Sequence, residues 1–203
     1  GEDSARKSEL AADKILWLCS EYLPKKFRVK PEDIQVLTPM RRGAAGSAIL
    51  NQRLQAALNP DGKSIKRAGT DYRVGDKVIQ IRNNYTKSVF NGDIGFVTQV
   101  NSEDGDLVID FDGRLVIYET SELDEIVLAY AVTIHKSQGS EIPYVVMPIM
   151  MSHYVMLQRN LLYTGVTRAK KALILVGEKK AIFIAVKNNK ILERNTRLSE
   201  RLR

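Results

Sequence analysis

Residues 133–141 are the part of the sequence richest in side chains that could do chemistry. The segment TIHKSQGSE stands between two apolar stretches, and Gly139 permits close approach of its backbone. Its donor side chains are Thr133, His135, Lys136 and Ser137. A polar turn after a strand that opens a short helix offers backbone N–H groups and side-chain donors to a phosphate. The alternative is an ordinary solvated loop capped by its threonine, and composition alone leaves both interpretations open.

Two further segments place arginines beside the ends of predicted strands. Residues 161–171 predict a helix whose inward face is apolar, and Arg168 stands near the end of that helix. Such an arginine can stabilise charge in phosphoryl transfer, or it can be a surface residue favoured at a helix C-terminus. Residues 38–47 carry Arg41 and Arg42 ahead of a glycine-flanked helix start. We expect the three segments to meet at one edge of a sheet.

Several other sites are disfavoured by the residues present. The sequence DGKS at residues 61–64 ends like a phosphate-binding P-loop, but Ala57 stands where that motif needs a glycine and no strand precedes it. No Asp or Glu pair follows a strand in the basic parts to hold Mg²⁺, and no Ser-His-Asp set is visible. The single Cys19 cannot form an internal disulfide, and with only two histidines a structural zinc site is disfavoured.

The distribution of charge divides the 203 residues into three parts. Residues 1–67 carry +5, residues 68–127 carry −7 and residues 128–203 carry +9, for a total of +7. The surplus suggests a polyanionic partner such as nucleic acid, with an unremarkable basic protein as the alternative. So abrupt a change also indicates domain boundaries. We therefore predict one basic unit from residues 1–67 and 126–203, with an acidic module at residues 68–125 inserted into it.

Hydrophobic periodicity supports the same division. Helices are predicted at residues 4–22 (ended by Pro24), 45–58, 156–169 and 179–187, and they alternate with apolar strands at residues 34–38, 126–132, 144–150 and 172–176. This alternation predicts an α/β fold with a mostly parallel sheet. The insert shows strands at residues 74–82, 94–100, 107–111 and 114–118, with a hairpin at Asp112-Gly113, which predicts a small β-barrel. Apolar runs are far shorter than the roughly 18 residues of a membrane span, and the polar N-terminus lacks both a secretory signal and an initiator Met. A cytoplasmic fragment without a membrane partner is expected.

These segments resemble the motifs of superfamily-one helicases. Residues 133–141 are similar to motif V, whose usual form is TIHxx(Q/K)GxE, and residues 163–171 are similar to motif VI, with its VTRA core at 166–169. Residues 38–47 resemble motif IV. The wording of motif V is closer to the branch of RecD, TraA and Pif1 than to the UvrD and Rep branch. The predicted barrel resembles the SH3-like insertion of the RecD branch.

The resemblance implies a second RecA-like motor lobe of an ATP-dependent DNA helicase that translocates on single-stranded DNA and unwinds duplex. It makes Arg168 an arginine finger on the γ-phosphate, with Arg41, or its neighbour Arg42, on the same phosphate. It places Gly139 and Glu141 near the nucleotide. It assigns DNA contacts to Thr133, His135, Lys136 and Ser137 in the lobe and to Arg82, Asn84, Tyr85 and Lys87 in the barrel, and coupling between the two sites to Tyr163 and Thr167.

The motifs of the first lobe are absent from this sequence. Without Walker A and B motifs we expect no ATP hydrolysis by this chain alone, and ATP with Mg²⁺ would be bound mainly by the missing first lobe. The branch suggests five-prime to three-prime movement. Two other functions remain open, a non-catalytic nucleic-acid-binding module and an interaction module for nuclease-complex subunits. The acidic residues 101–127 should face away from DNA, which leaves residues 73–90 as the expected DNA-facing part of the insert.

Overall fold

The computed structural model describes residues 2–103, 105–137 and 139–189, which form a parallel sheet covered by helices and an antiparallel β-barrel. The helices are α1 (Glu2–Trp17), α2 (Leu23–Phe27), α3 (Ser47–Leu58), α4 (Arg159–Val166) and α5 (Lys179–Lys187). The strands are β1 (Ile34–Thr38), β2 (Ser64–Arg67), β3 (Thr70–Arg73), β4 (Lys77–Gln80), β5 (Ile94–Asn101), β6 (Asp106–Phe111), β7 (Arg114–Tyr118), β8 (Ile126–Leu128), β9 (Ala131–Thr133), β10 (Ile142–Ile149) and β11 (Ala169–Gly177). Short 3-10 helices occupy Pro31–Asp33, Thr120–Glu125, Ile134–Ser137 and Met151–Met156.

The parallel sheet has the strand order β11-β10-β1-β9. Its strands are almost continuously apolar because both faces are covered by helices. Along β10, Val146 packs into the cluster formed with α1 and α3, whereas Val145 and Met147 pack into the cluster formed with α4 and α5. The predicted α/β fold with a parallel sheet is confirmed.

The inserted module is a small barrel built on a five-stranded antiparallel sheet of order β7-β6-β5-β4-β8, with the hairpin β2-β3 beside it. Its core is apolar and includes Val78, Val97 and Ile109. The predicted turn at Asp112-Gly113 is present between β6 and β7, and both of its residues have positive φ, 54° and 86°. Two positive φ values are typical of the tight turn that joins adjacent antiparallel strands.

Strand pairing moves both expected boundaries of the insert. β2 precedes residue 68 but pairs with β3, so the boundary at 67/68 would cut a hairpin. β8 follows residue 125 but pairs with β4 inside the barrel. The apolar run at 126–132 is two strands rather than one, because the chain leaves the barrel at Leu128 and enters the parallel sheet at Ala131. By pairing, the barrel extends from β2 to β8.

The first helix does not end at Pro24, as the sequence suggested. A π-helical turn at Leu18–Tyr22 follows α1, and Pro24 lies in the first turn of α2, where a missing N–H is tolerated. The helical segment ends at Phe27, and Arg28 then adopts a left-handed conformation with φ of 53°. Among the described residues, no helix has the length and apolar character needed to cross a membrane.

Candidate functional site

The expected site residues lie at two opposite edges of the parallel sheet, not at one. Thr38 and Thr133 end β1 and β9 and are register partners, so the loops that follow them share the carboxyl edge. Ile142 and Ala169 begin β10 and β11 and are register partners at the amino edge. The expectation of one shared edge is therefore wrong, because Arg168 precedes its strand. Strands of five to eight residues separate the edges by about 16–26 Å.

Arg168 is held at the amino edge by its own backbone and by two neighbours. Its carbonyl accepts a hydrogen bond from the Ile142 N–H at 2.9 Å, which joins it to the start of β10. Its Nη1 donates to the Ser140 carbonyl and its Nη2 to the Thr167 hydroxyl, each at 3.3 Å. Its Nε is buried and has no hydrogen-bond partner within the described residues. A buried charged donor without a partner is unfavourable, so the described residues leave the Arg168 guanidinium incompletely hydrogen-bonded.

Glu141 and Gly139 lie in the same amino-edge segment. Glu141 is exposed and forms an ion pair of 2.5 Å with Lys170. The hydrogen bond and charge of Lys170 lower the pKa of the Glu141 carboxylate, and Arg168 lowers it further. Gly139 has φ of +87°, a backbone conformation that favours glycine. The structure thus brings three of the four residues expected at the nucleotide to one edge.

Helix α4 carries Arg168 at its end and contacts the segment that begins at the carboxyl edge. A Cβ on Gly165 would lie 2.6 Å from Met147 Sδ, so the flexible Met147 side chain would have to shift, and 3.8 Å from Ile134 Cδ1, which is an ordinary contact distance. Sequence reasoning missed Gly165, although a glycine inside a helical pattern was a visible signal. Of the two expected coupling residues, Thr167 contacts Arg168 directly, whereas Tyr163 is exposed on the surface of α4.

The carboxyl edge contains the expected DNA-binding residues of the lobe, together with Arg41. Thr133 is half-buried at the end of β9, and His135 and Lys136 are exposed in the 3-10 helix that follows. Burial lowers the pKa of Lys136, and the nearby Arg41 guanidinium lowers it further. Arg41, Thr133 and Lys136 line a cleft of about 760 Å³ between α3, β9 and the barrel strands β4 and β8.

At this edge, the expected phosphate contact of Arg41 stays a prediction, and the expected DNA contact of Ser137 needs correction. Arg41 follows β1 and stands beside Lys136, at the edge opposite to that of Arg168. Its neighbour Arg42 lines a different cavity, next to the start of α1. Ser137 is buried, and its hydroxyl donates to the Ile134 carbonyl at 2.7 Å, so it is turned into the protein instead of towards a DNA backbone.

In the barrel loop, two of the four expected DNA contacts are used inside the protein. Lys87 Nζ donates to the Ile117 carbonyl at 2.6 Å and pairs with Glu122 at 3.0 Å. Asn84 Nδ2 donates to Glu125 Oε2 at 3.0 Å, and its Oδ1 accepts the Lys87 N–H at 3.1 Å. These bonds close the loop onto the 3-10 helix Thr120–Glu125 and onto β7, which leaves both side chains only partly exposed.

The other two barrel residues remain exposed. Tyr85 is 77% exposed, and its ring meets the half-exposed Phe90 edge-to-face, with centroids 6.0 Å apart. Arg82 pairs with Asp124 at 3.0 Å, but both side chains are largely exposed, so this surface pair is weak. The loop therefore offers an aromatic pair and one arginine, which is the combination that single strands contact by stacking and charge.

No metal site accompanies these two edges in the part of the chain that the structure describes. No group of three or more His, Cys, Asp or Glu side chains is arranged there to hold an ion.

The parallel sheet with its inserted barrel is the fold of a RecA-like helicase lobe that carries an SH3-like insertion. Residues 50–111 match the family described as the SH3 domain of ATP-dependent RecD-like DNA helicases. Residues 128–176 match the family described as the UvrD-like helicase C-terminal domain. The second match begins at the last residue of β8, where the chain returns to the lobe.

Curated relatives narrow the class. The chain is 41% identical over 173 residues to the ATP-dependent RecD2 DNA helicase of Deinococcus radiodurans, which covers 85% of this chain and 24% of that protein. It is 31% identical over 154 residues to the RecBCD enzyme subunit RecD of Haemophilus influenzae, with coverage of 76% and 23%. The chain belongs to the RecD-like DNA helicases. It spans about a quarter of the length of these two relatives.

Solved structures support the same fold. A crystal structure of Pif1 helicase from Bacteroides, in complex with ADP-AlF3 and single-stranded DNA, aligns with 98% of this chain and 52% of its own at a TM-score of 0.58 and 17% identity. A structure of two Pif1 helicases on forked DNA aligns with 85% of this chain and 45% of its own at a TM-score of 0.52 and 20% identity. At these identities the likeness concerns the fold alone.

Proposed function

We propose that this chain is the second motor lobe, with its barrel, of an ATP-dependent DNA helicase that translocates on single-stranded DNA and unwinds duplex. The observation that carries the proposal is Arg168, a restrained guanidinium at the amino edge whose buried Nε has no partner among the described residues. Similarity to the RecD2 helicase supplies the context of a longer motor. A first lobe with its own P-loop would face this edge across the nucleotide.

At the amino edge, the residues fit a nucleoside triphosphate. ATP would supply the transferable phosphoryl group, and Arg168 would stabilise the negative charge that develops on it. Ser140 and Thr167 fix the guanidinium in place before the reaction, so little reorganisation is needed. Glu141 and Gly139 belong to the same amino-edge segment and would lie near the nucleotide. Mg²⁺ and most of the triphosphate would be held by the first lobe.

At the carboxyl edge, we assign the DNA backbone to Thr133, His135 and Lys136, and we add Arg41 to this group. The supporting observation is that Arg41 and Lys136 line one cleft between the lobe and the barrel. Stacking on Tyr85 and Phe90 would extend the contact onto the barrel. The Bacteroides Pif1 structure of the same fold contains single-stranded DNA, which is consistent with this use of the fold.

Coupling between the two edges would pass through α4. Gly165, near the C-terminal end of α4, lies next to Ile134 of the carboxyl-edge segment, and two residues further on the Thr167 hydroxyl accepts a hydrogen bond from the Arg168 guanidinium. A shift of this helix would therefore move both contacts. Tyr163, which is exposed on α4, would act at the face that meets the first lobe.

Similarity to RecD subunits favours a second candidate function, an interaction module within a nuclease complex. Replacing Arg168 separates the two. In the helicase chain that includes the first lobe, Arg168→Ala should lower DNA-stimulated ATP hydrolysis by about 10³-fold or more, while the Kd for single-stranded DNA changes less than threefold. Arg67→Ala, at an exposed arginine of β2, is the matched control and should leave both unchanged. Unchanged ATP hydrolysis in Arg168→Ala would exclude the motor role and leave the interaction module.

A further inference from the structure

The most completely hydrogen-bonded carboxylate of the described chain lies where the barrel joins the lobe. Asp76 immediately precedes β4 and is fully buried. Its four donors are Gln55 Nε2 at 2.6 Å, Asn59 Nδ2 at 2.7 Å, the Arg73 N–H at 2.7 Å and the Tyr130 hydroxyl at 2.8 Å. Two carboxylate oxygens offer about four acceptor positions, so the group is saturated. Removal of any one donor leaves acceptor capacity buried and unused.

The four donors come from three different parts of the chain. Gln55 belongs to α3, and Asn59 follows it directly, so both belong to the lobe side of the junction. Arg73 ends β3 of the barrel. Tyr130 stands in the short segment that returns from β8 to β9. One buried carboxylate thus joins the lobe, the barrel and the returning chain.

Lys77, the next residue, connects the barrel to the segment that leads into β1. It is buried, and its Nζ donates to the carbonyl of Glu32 at 3.0 Å and to that of Ile34 at 3.4 Å. Burial lowers the pKa of Lys77 to about 8, against the opposing charges of Asp33 and Glu32. Because successive side chains of an extended chain point to opposite sides, Asp76 reaches α3 on one side and Lys77, the first residue of β4, reaches the start of β1 on the other.

The carbonyl groups of the returning segment are held by two side chains of the lobe. Gln35 Nε2 donates to the carbonyls of Ala129 and Tyr130, at 2.9 and 3.0 Å. Asn51 Nδ2 donates to the carbonyls of Leu128 and Ala131, and its Oδ1 accepts the Ala131 N–H at 2.8 Å. A hinge requires backbone that can change φ and ψ, and here buried side chains of the lobe hold that backbone.

We propose that Asp76 is a positioning residue that fixes the barrel to the motor lobe, so that barrel and lobe move as one rigid body. The rigid attachment follows from the junction itself, and its consequence for movement on DNA rests on the proposed function. The aromatic pair on the barrel loop would then advance together with Lys136 and Arg41, and the barrel would not open and close as an independent clamp.

A distance measurement in the 203-residue chain tests the attachment without any enzymatic readout. Leu115→Cys on β7, 63% exposed, and Lys180→Cys on α5, also exposed, provide two sites for nitroxide labels. Cys19 is buried, and burial raises the pKa of its thiol to about 12, so it should remain unlabelled. Pulsed electron paramagnetic resonance should give one narrow distance distribution in the parent and at least a twofold broader one with Asp76→Asn. Asp61→Asn, at an exposed aspartate of the connecting turn, should not broaden it.

A broad or two-peaked distribution in the parent, or an unchanged one in Asp76→Asn, would overturn the proposal. If Asp76→Asn fails to fold, Tyr130→Phe removes one of the four donors at constant ring volume and should broaden the distribution by a smaller amount. The consequence is measured in the helicase chain with its first lobe, where Tyr130→Phe should lower base pairs unwound per ATP at least threefold with ATP hydrolysis within twofold. Equal losses of both activities with unchanged distances would make Asp76 a stability residue only. If the chain has no motor function, the label distances still decide the attachment.

Discussion

The two edges of the parallel sheet carry different kinds of cationic site. At the amino edge, one guanidinium, that of Arg168, is held by backbone and side-chain bonds and retains a buried donor without a partner in the described chain. At the carboxyl edge, Arg41 and Lys136 are exposed and line a cleft. The positive charge at the amino edge belongs to one restrained guanidinium, whereas at the carboxyl edge it is distributed over exposed side chains that can change position.

The difference matches two kinds of work. Stabilising a developing charge requires a donor that is already in position, because reorganisation during the reaction would cost free energy. Tracking a DNA backbone requires several exposed contacts that form and break without sequence preference. Residues 133–141 cross from one edge to the other, from the end of β9 to the start of β10, so a single connection reaches both sites. Under the proposed function, that short crossover would let one motif contact both the nucleotide and the DNA.

The first prediction concerns the pH dependence of stability and compares a buried with an exposed histidine. Both histidines follow strands at the carboxyl edge. Burial lowers the pKa of His153 to about 4, and its Nδ1 accepts the Met150 N–H. As pH falls from about 6.5 to about 4, the unfolded state binds a proton that the folded state does not, so stability decreases. At pH 5 the loss should be about 2 kcal/mol relative to pH 7.

His153→Gln should remove most of that loss, and His135→Gln, at the exposed histidine, should leave it in place. Urea unfolding at pH 7 and pH 5, followed by circular dichroism, measures the difference for each variant. If His135→Gln rather than His153→Gln abolishes the acid sensitivity, the assignment of buried and exposed imidazoles is incorrect.

Much of the fold could be predicted because its strands are short, apolar and separated by strong turn signals. The hairpin at Asp112-Gly113 is the clearest case, since its turn requires positive φ at both positions. The hairpin of β2 and β3 could not be predicted, because SIKR and TDYR lack an apolar alternation and are partly exposed. The first boundary of the barrel was displaced for the same reason, whereas the second was displaced because the apolar run 126–132 is two strands.

The candidate site was less predictable than its motifs. The sequence places Arg168 before a strand and Arg41 after one. Once the strands are known to be parallel, this order determines the edge of the sheet at which each arginine lies. Hydrogen-bond and ion-pair partners from distant segments could not be predicted from the sequence. Lys87 binds Glu122 and the Ile117 carbonyl, which lie about thirty residues further along the chain. From the sequence alone, Asp76 would be expected at the surface, as most aspartates are. Its buried position depends on hydrogen-bond donors from other elements, which the sequence does not reveal.

A smaller effect is expected when the aromatic pair on the barrel is removed. Tyr85→Ala should weaken single-stranded DNA binding by about tenfold, because stacking of one base contributes about 1–3 kcal/mol. Tyr154→Ala, at a 61% exposed tyrosine of the lobe, is the matched control and should have no effect. Fluorescence anisotropy with a labelled oligonucleotide, in the helicase chain that includes the first lobe, compares the two. Equal losses in both variants would argue against a specific platform on the barrel.

The smallest expected effect is that of replacing Arg41, and it tests whether Arg41 contacts DNA or the nucleotide. Because it stands beside Lys136, Arg41→Ala should weaken DNA binding only a few-fold and reduce the salt dependence of log K by about 0.7, with KM for ATP unchanged. Arg42→Ala, at the arginine that lines the other cavity, should leave the slope unchanged. Anisotropy titrations at several salt concentrations give the slope, and steady-state hydrolysis gives KM. A raised KM or a lowered kcat in Arg41→Ala, with the salt slope intact, would mean that Arg41 reaches the nucleotide when the lobes close. The two edges would then share a residue, and the separation of fixed from adjustable charge would hold only for the open lobe.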